Sequence, residues 1–265
     1  MFIHAIERCC TDIDKTGAFG VRTSNKKISA IILVCSIVLL LTLIHLLPRE
    51  EEEQAYHRSL SPDVQPVISL AAPRYNSDVS LEETLLRRRS TRDYTEQALT
   101  LKELSQLLWA SQGVTDPRGL RTAPSAGALY PLEVLILVGN VEGLEAGLYR
   151  YRPQTHSILK VLSGDRRGEL AEAALGQKWV GSAAIDIVVT AIHERTTGKY
   201  GDRGIRYVHI EVGHAAQNLC LQATALKLGV VTVGAFHDDR VSQILNLPQE
   251  EKPLYIVSVG RPTPP

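Results

Sequence analysis

Arg121-Thr-Ala-Pro-Ser-Ala-Gly-Ala-Leu-Tyr-Pro-Leu-Glu133 is the stretch on which the reading of this chain turns. Pro124 and Pro131 restrict the backbone near each end. Between them Ser125, Ala126, Gly127 and Ala128 carry almost no side chain. A segment this small is a poor piece of core. It does allow a flat ligand to approach the main chain closely, because no bulk pushes it away. By itself it reads equally well as an ordinary Pro/Gly loop leading into a strand over 134–138.

Working outward, Thr100-x-x-Glu103 has the spacing of a capping box ahead of Leu104, Leu107, Leu108 and Trp109, and Gly113 ends that helix. Before it, Leu81–Arg89 has a helical apolar rhythm that runs into Arg87-Arg88-Arg89-Ser90-Thr91-Arg92. Guanidinium forks bind phosphate oxygens in pairs, and a hydroxyl adds a further bond. The same run also suits a solvated basic helix end facing the negative pole of its dipole.

Downstream, strands are expected at 147–151 and 156–162, joined as a hairpin by Pro153-Gln154-Thr155. A short helix is expected over 168–175, and a doubly buried strand over 183–192. Arg195-Thr-Thr-Gly-Lys-Tyr-Gly-Asp-Arg-Gly204 then reads as a polar loop. Lys199 and Tyr200 are adjacent in it, and an ammonium beside a phenol favours the phenolate, which suits acid/base work. A surface loop of ordinary polar residues is the plainer reading.

Residues 205–228 form the longest helical pattern, small in the middle at Gly213, Ala215 and Ala216. Glu211 and His214 have the three-residue spacing seen in helical metal sites, but nothing completes such a set, so a polar stripe at a core or interface is expected and no metal. Gly229 is read as the helix stop. A strand over 230–233, the small turn Gly234-Ala235-Phe236, a helix over 238–245 and a strand over 253–259 complete the chain, with Arg261 after Gly260 as a second candidate for phosphate.

The N-terminal part differs in kind. Residues 28–47 are almost unbroken Ile, Leu, Val and Ala, and about 20 such residues suffice to cross a bilayer as a helix. Arg8, Lys15, Arg22, Lys26 and Lys27 precede the run and only Arg49 and Arg58 follow closely, so the N-terminus is expected in the cytoplasm and the domain outside. The expected organisation is a basic segment (1–27), a single-pass membrane anchor (28–47, with a cleaved signal as the alternative), a proline-punctuated linker (48–74) and a domain (75–265), with residues 67–70 available as a short strand or arm.

Composition sets outer limits. A chain of 265 residues with a formal net charge of zero has room for a sizeable core and lacks the basic excess of a general nucleic-acid binder. Cys9, Cys10, Cys35 and Cys220 show no zinc-ligand spacing and no disulfide framework for the domain.

Several segments together, in order across about residues 67–263, resemble the nitroreductase-like flavoproteins, and within them the SagB-type dehydrogenase branch that includes azoline oxidases. The resemblance is carried by Arg-Arg-Ser-Thr-Arg at 88–92, Ala-Pro-Ser-Ala-Gly-Ala-Leu-Tyr-Pro at 123–131, Glu-Val-Gly-His-Ala-Ala-Gln-Asn at 211–218, Val-Gly-Ala-Phe at 233–236 and Val-Gly-Arg-Pro at 259–262. It implies an α+β fold with a mostly antiparallel central sheet flanked by helices, and FMN bound at the interface of a homodimer. The basic run Arg88, Arg89, Ser90 and Arg92, with Arg261, would hold the FMN phosphate. Pro124, Ser125, Ala126 and Gly127 would line the flavin and ribityl chain, and Gly234 and Ala235 the ring edge. Lys199-Tyr200 matches the catalytic pair of azoline-oxidising members, which implies a modified-peptide substrate. A reductase of nitro compounds or quinones using NAD(P)H is the alternative on the same scaffold, and an anchored flavin-binding module without turnover is a third. The N-terminal anchor lies outside the resemblance.

Overall fold

The computed structural model describes residues 67–264. The basic segment, the expected span at 28–47 and the linker as far as residue 66 lie outside the described residues. Among the described residues no helix is long and apolar enough to cross a membrane.

The fold is an antiparallel sheet flanked by helices on both faces. Its strands are β1 (Val67–Ser69), β2 (Tyr94–Thr95), β3 (Leu132–Val138), β4 (Gly147–Arg152), β5 (Ser157–Ser163), β6 (Ile185–Ile192), β7 (Gly229–Val233) and β8 (Glu251–Pro262), in the order β1-β5-β4-β3-β6-β8-β2, with β7 also on β8. The helices are α1 (Leu81–Arg87), α2 (Leu101–Gln112), α3 (Arg167–Ala173), α4 (Lys178–Ser182), α5 (Glu194–Tyr200), α6 (Arg203–Ala225) and α7 (Asp238–Ile244). β1 pairs with β5, so residues 67–69 add to the domain the short strand that the sequence offered there.

Strand alternation divides the core. Val134, Ile136 and Val138 of β3 pack with Leu104, Leu107 and Leu108 of α2 and with Ala216, Leu219 and Ala223 of α6. Leu135 and Leu137 point the other way, against Leu170 of α3, Val180 of α4 and Val241 of α7. A strand buried on both faces reads as a nearly continuous apolar run, as β3 and β6 do apart from Glu133, Asp186 and Thr190. The three α2 leucines are fully buried, each contributing about 2 kcal/mol by transfer from water. The capping box forms as spaced: Glu103 N donates to Thr100 Oγ1 at 3.2 Å, and Thr100 N to Glu103 Oε2 at 2.8 Å.

Two readings change. Residues 195–200 are helical rather than a loop, because α5 docks against α6 at a close corner. A Cβ at Gly204 would lie 2.8 Å from the Thr197 backbone, an approach only glycine permits. Second, α6 stops before Gly229. Lys227 takes the left-handed conformation (φ 59°) that turns the chain, and Gly229 already pairs with Gly260 in β7. A third point extends the reading of 81–89 as a helix: its apolar side, Leu81, Leu85 and Leu86, is exposed.

One polar group crosses the interior. Arg150, 1% exposed, gives Nη1 to Glu133 at 3.1 Å and makes a two-pronged pair with Glu251 at 3.1 and 2.9 Å. Arg195 takes the other Glu133 oxygen at 2.7 Å. Burial alone would raise the Glu133 carboxyl; the Arg150 and Arg195 guanidiniums outweigh it and hold it below the usual range.

Candidate functional site

The small-residue stretch forms a tight turn at the mouth of β3. Ala126–Ala128 is a single 3₁₀ turn in which Gly127 (φ 64°), Ala128 (φ 53°) and then Tyr130 (φ 47°) occupy left-handed backbone. Such conformations cost alanine and tyrosine energy that surrounding contacts must offset. Tyr130 N donates to Ser125 Oγ at 2.9 Å and Ala128 N to the Ser125 carbonyl at 3.1 Å. Arg121 N donates to Tyr130 Oη at 3.1 Å, and its guanidinium lies 4.4 Å from that ring's centre. Pro124 and Gly127 are exposed, and Ser125 and Ala126 half-buried, so the turn presents main chain to its surroundings.

Lys199 and Tyr200, on the last turn of α5, meet this turn. A Cβ built on Gly127 would lie 2.8 Å from Tyr200 Oη and 3.1 Å from Lys199 Nζ. Residues separated by more than seventy positions thus share one spot. Lys199 Nζ lies 5.4 Å from the Tyr200 ring centre, and Tyr207 meets Tyr200 edge to face at 5.2 Å. Beneath the turn Glu211 of α6 is 2% exposed and hydrogen-bonds Ser125. Burial pushes its carboxyl up to about 7 against the opposing pull of Ser125 and Arg121, and Oε1 has no partner among the described residues. His214 is exposed, so the pair spaced for a metal points two ways, and among the described residues no metal-binding group of side chains exists.

The cationic residues form a second locus. Thr91 N donates to the Val230 carbonyl at 2.9 Å, Ser90 bridges Val230, and Thr95 pairs with Arg261. This crossing needs glycine on both strands below. A Cβ at Gly229 would lie 2.7 Å from Thr91 Cγ2, and one at Gly260 2.9 Å from Tyr94. Arg261 reaches Glu103 Oε2 at 2.8 Å, and its buried Nε has no partner among the described residues. Arg89 is drawn back to the end of α1, donating to the carbonyls of Leu86 and Arg88 at 3.1 and 2.8 Å. Arg88 lies near Cys220, whose thiol burial raises and Arg88 lowers.

Arg92 extends into a cleft of about 720 Å³, 5.2 Å above the Trp179 ring, with Gln177 and Lys178 alongside. Gln177 donates to the Ala235 carbonyl at 2.9 Å, which joins the exposed Gly234-Ala235 turn to the same cleft. The sequence reading missed Gln177, Lys178 and Trp179. Their only local signal is a Gln-Lys-Trp triplet in a turn, and the cleft exists only once β2 reaches β8.

The turn sits over Glu211, and Arg88 lies near Cys220, nine residues further along α6, or about 13 Å of helix.

The nitroreductase family model matches residues 85–261. MJ1384 of Methanocaldococcus jannaschii, named as a candidate nitroreductase, is 51% identical over 184 residues, covering 69% of this chain and 92% of that protein. The solved structure of a candidate nitroreductase from Anabaena variabilis superposes with a TM-score of 0.67 at 38% identity, over 75% of this chain and 42% of that one. A chain of the Escherichia coli microcin synthetase McbBCD complex with truncated pro-MccB17 bound gives a TM-score of 0.60 at 25% identity, over 82% of this chain and 83% of that one. FMN reductase (NADPH) of Bacillus subtilis is 25% identical over 194 residues, 68% of this chain and 65% of that protein; this chain therefore spans less than two thirds of that relative. With two thirds of its length inside the family model and half of its aligned residues shared with MJ1384, this chain belongs to the nitroreductase family.

Proposed function

We propose that this nitroreductase-family oxidoreductase binds FMN and belongs to the SagB-type branch, dehydrogenating an azoline ring in a modified peptide to the azole. The observation that carries the reading is the Lys199–Tyr200 pair held within 2.8 and 3.1 Å of the empty side-chain position of Gly127. Likeness to a chain of the McbBCD complex supports the branch, and the name of the Bacillus relative supports the cofactor.

The residues suit the cofactor on their own chemistry. Arg261, opposite Thr95 of the segment that carries Ser90, keeps an Nε with no partner among the described residues, and its guanidinium suits a phosphate. Gly127 has no side chain, and Tyr200 Oη and Lys199 Nζ come closer to its main chain than a Cβ would allow. FMN, when bound, would supply the hydride acceptor. Arg88, Ser90 and Arg261 would hold its phosphate, and Arg92 with Gln177 and the Gly234-Ala235 turn would flank the ring. The small-residue turn would cover it from a second copy of the chain, the homodimer arrangement that the family resemblance implies. Tyr200 Oη would take the proton from the ring carbon, with the Lys199 ammonium stabilising the phenolate.

Reduction of nitro compounds or quinones by NAD(P)H is the second reading, favoured by the names of MJ1384 and the Anabaena protein. Anaerobic bleaching of the flavin separates the two. An azoline peptide that bleaches where NADH and NADPH do not supports the oxidase; bleaching by nucleotide alone overturns it. The apolar run at 28–47 supports a membrane tether with the domain outside. A domain resistant to protease added to intact cells would overturn that orientation.

A further inference from the structure

The pair Lys199–Tyr200 rides on a helix with little of its own to keep it in place. α5 has seven residues, no side-chain N-cap, and Thr196 as its buried residue. A helix that short is not stable alone, so contacts outside it set its position. Its corner with α6 at Gly204 fixes one end. At the other end Arg195 sits one helical turn before Lys199. Its Nη1 donates to the Tyr130 carbonyl at 3.2 Å and to Glu133 Oε1 at 2.7 Å. Tyr130 closes the strained turn that contains Gly127, and Glu133 is clamped from its other side by buried Arg150. One guanidinium therefore ties the helix carrying the pair to the turn beneath it and to the polar centre of the sheet.

We propose that Arg195 is a positioning residue, setting Tyr200 Oη and Lys199 Nζ over Gly127 by bridging the Tyr130 carbonyl and the Glu133 carboxylate. This rests on the reading of Lys199–Tyr200 as the reacting pair. Arg195 acts through that pair and touches no reacting atom. A lysine keeps the charge beside Glu133 but lacks the rigid planar guanidinium that aims one nitrogen at both acceptors.

The test uses the full chain loaded with FMN, as wild type, Arg195→Lys, Arg195→Ala, Tyr200→Phe and Tyr200→Phe with Arg195→Ala. Two quantities are measured: the rate of anaerobic flavin bleaching by an azoline peptide, and amide exchange across 196–201. Arg195→Ala is expected to slow bleaching about tenfold or more at unchanged FMN affinity, and to speed exchange in α5 but not in α6. Added to Tyr200→Phe it is expected to slow bleaching no further. Arg195→Lys, which keeps the ion pair and the fold, is expected to show the same defect in smaller degree. Additive losses in the double variant, or unchanged α5 exchange in both Arg195 variants, would overturn the proposal. A wild type that the azoline never bleaches would overturn the oxidase reading instead, while the exchange measurement still decides whether Arg195 holds α5.

Discussion

Glu211 has almost no contact with solvent, and its carboxyl, raised to about 7 mainly by burial, faces Ser125 and Arg121. Its ordinary value is 4.5, so folding favours the neutral form. The stabilisation is complete below about 4.5 and disappears as pH rises through about 7. At roughly 1.4 kcal/mol per unit this is a swing of roughly 3 kcal/mol. Urea unfolding at pH 5 and pH 8 should therefore show a loss of stability that Glu211→Gln abolishes. Equal pH slopes in variant and wild type would remove Glu211 as the source. A polar position at a core or interface was legible at residue 211, but its partner was not, because only folding puts Ser125 above it.

At the scale of elements, the crossing of residues 90–95 over β7 and β8 decides whether the arginine run can serve one site. Gly229 and Gly260 are opposite each other in register, and each leaves room for a side chain of the crossing segment. Gly229→Ala puts a methyl 2.7 Å from Thr91 Cγ2, so the segment must move. The variant is expected to bind FMN ten- to a hundredfold more weakly, the equivalent of one charge-assisted bond of about 1.5–3 kcal/mol. Flavin fluorescence titration measures this, and wild-type affinity would show that the crossing does not position the cofactor. β3, β6, the β4–β5 hairpin and the α2 cap follow from local pattern, because apolar runs, turn residues and caps act within a few positions. α5 did not. Two threonines and a glycine in seven residues argue against a helix by propensity, and packing on α6 overrides them.

Over the whole molecule, the turn and Arg88 lie beside α6 at points about 13 Å apart, and the outer face of that helix carries exposed Ile205, Ile210, Gly213 and His214. Two copies joined across this face could bring one chain's turn to the other's arginines. A Cβ at Gly213 would meet nothing within 4 Å of its own protomer. Gly213→Arg should therefore leave the protomer folded, give a monomer by sedimentation and lose FMN with the dimer. A dimeric, flavin-bearing variant would refute assembly through this face.

Order along the chain is what the residues determined unaided: family, the succession of strands and helices apart from β2, α4 and α5, the cationic run, the small-residue turn and the Lys-Tyr pair. These signals are short-ranged, set by side-chain size, charge and backbone freedom over a few neighbours. Which of those segments meet was decided by closure of the sheet. That closure sets Tyr200 over Gly127, Arg195 onto Tyr130 and Glu133, Glu211 under Ser125 and Gln177 beside Arg92. Such contacts join residues up to eighty-six positions apart. No local periodicity encodes them, because they depend on the path of every strand between.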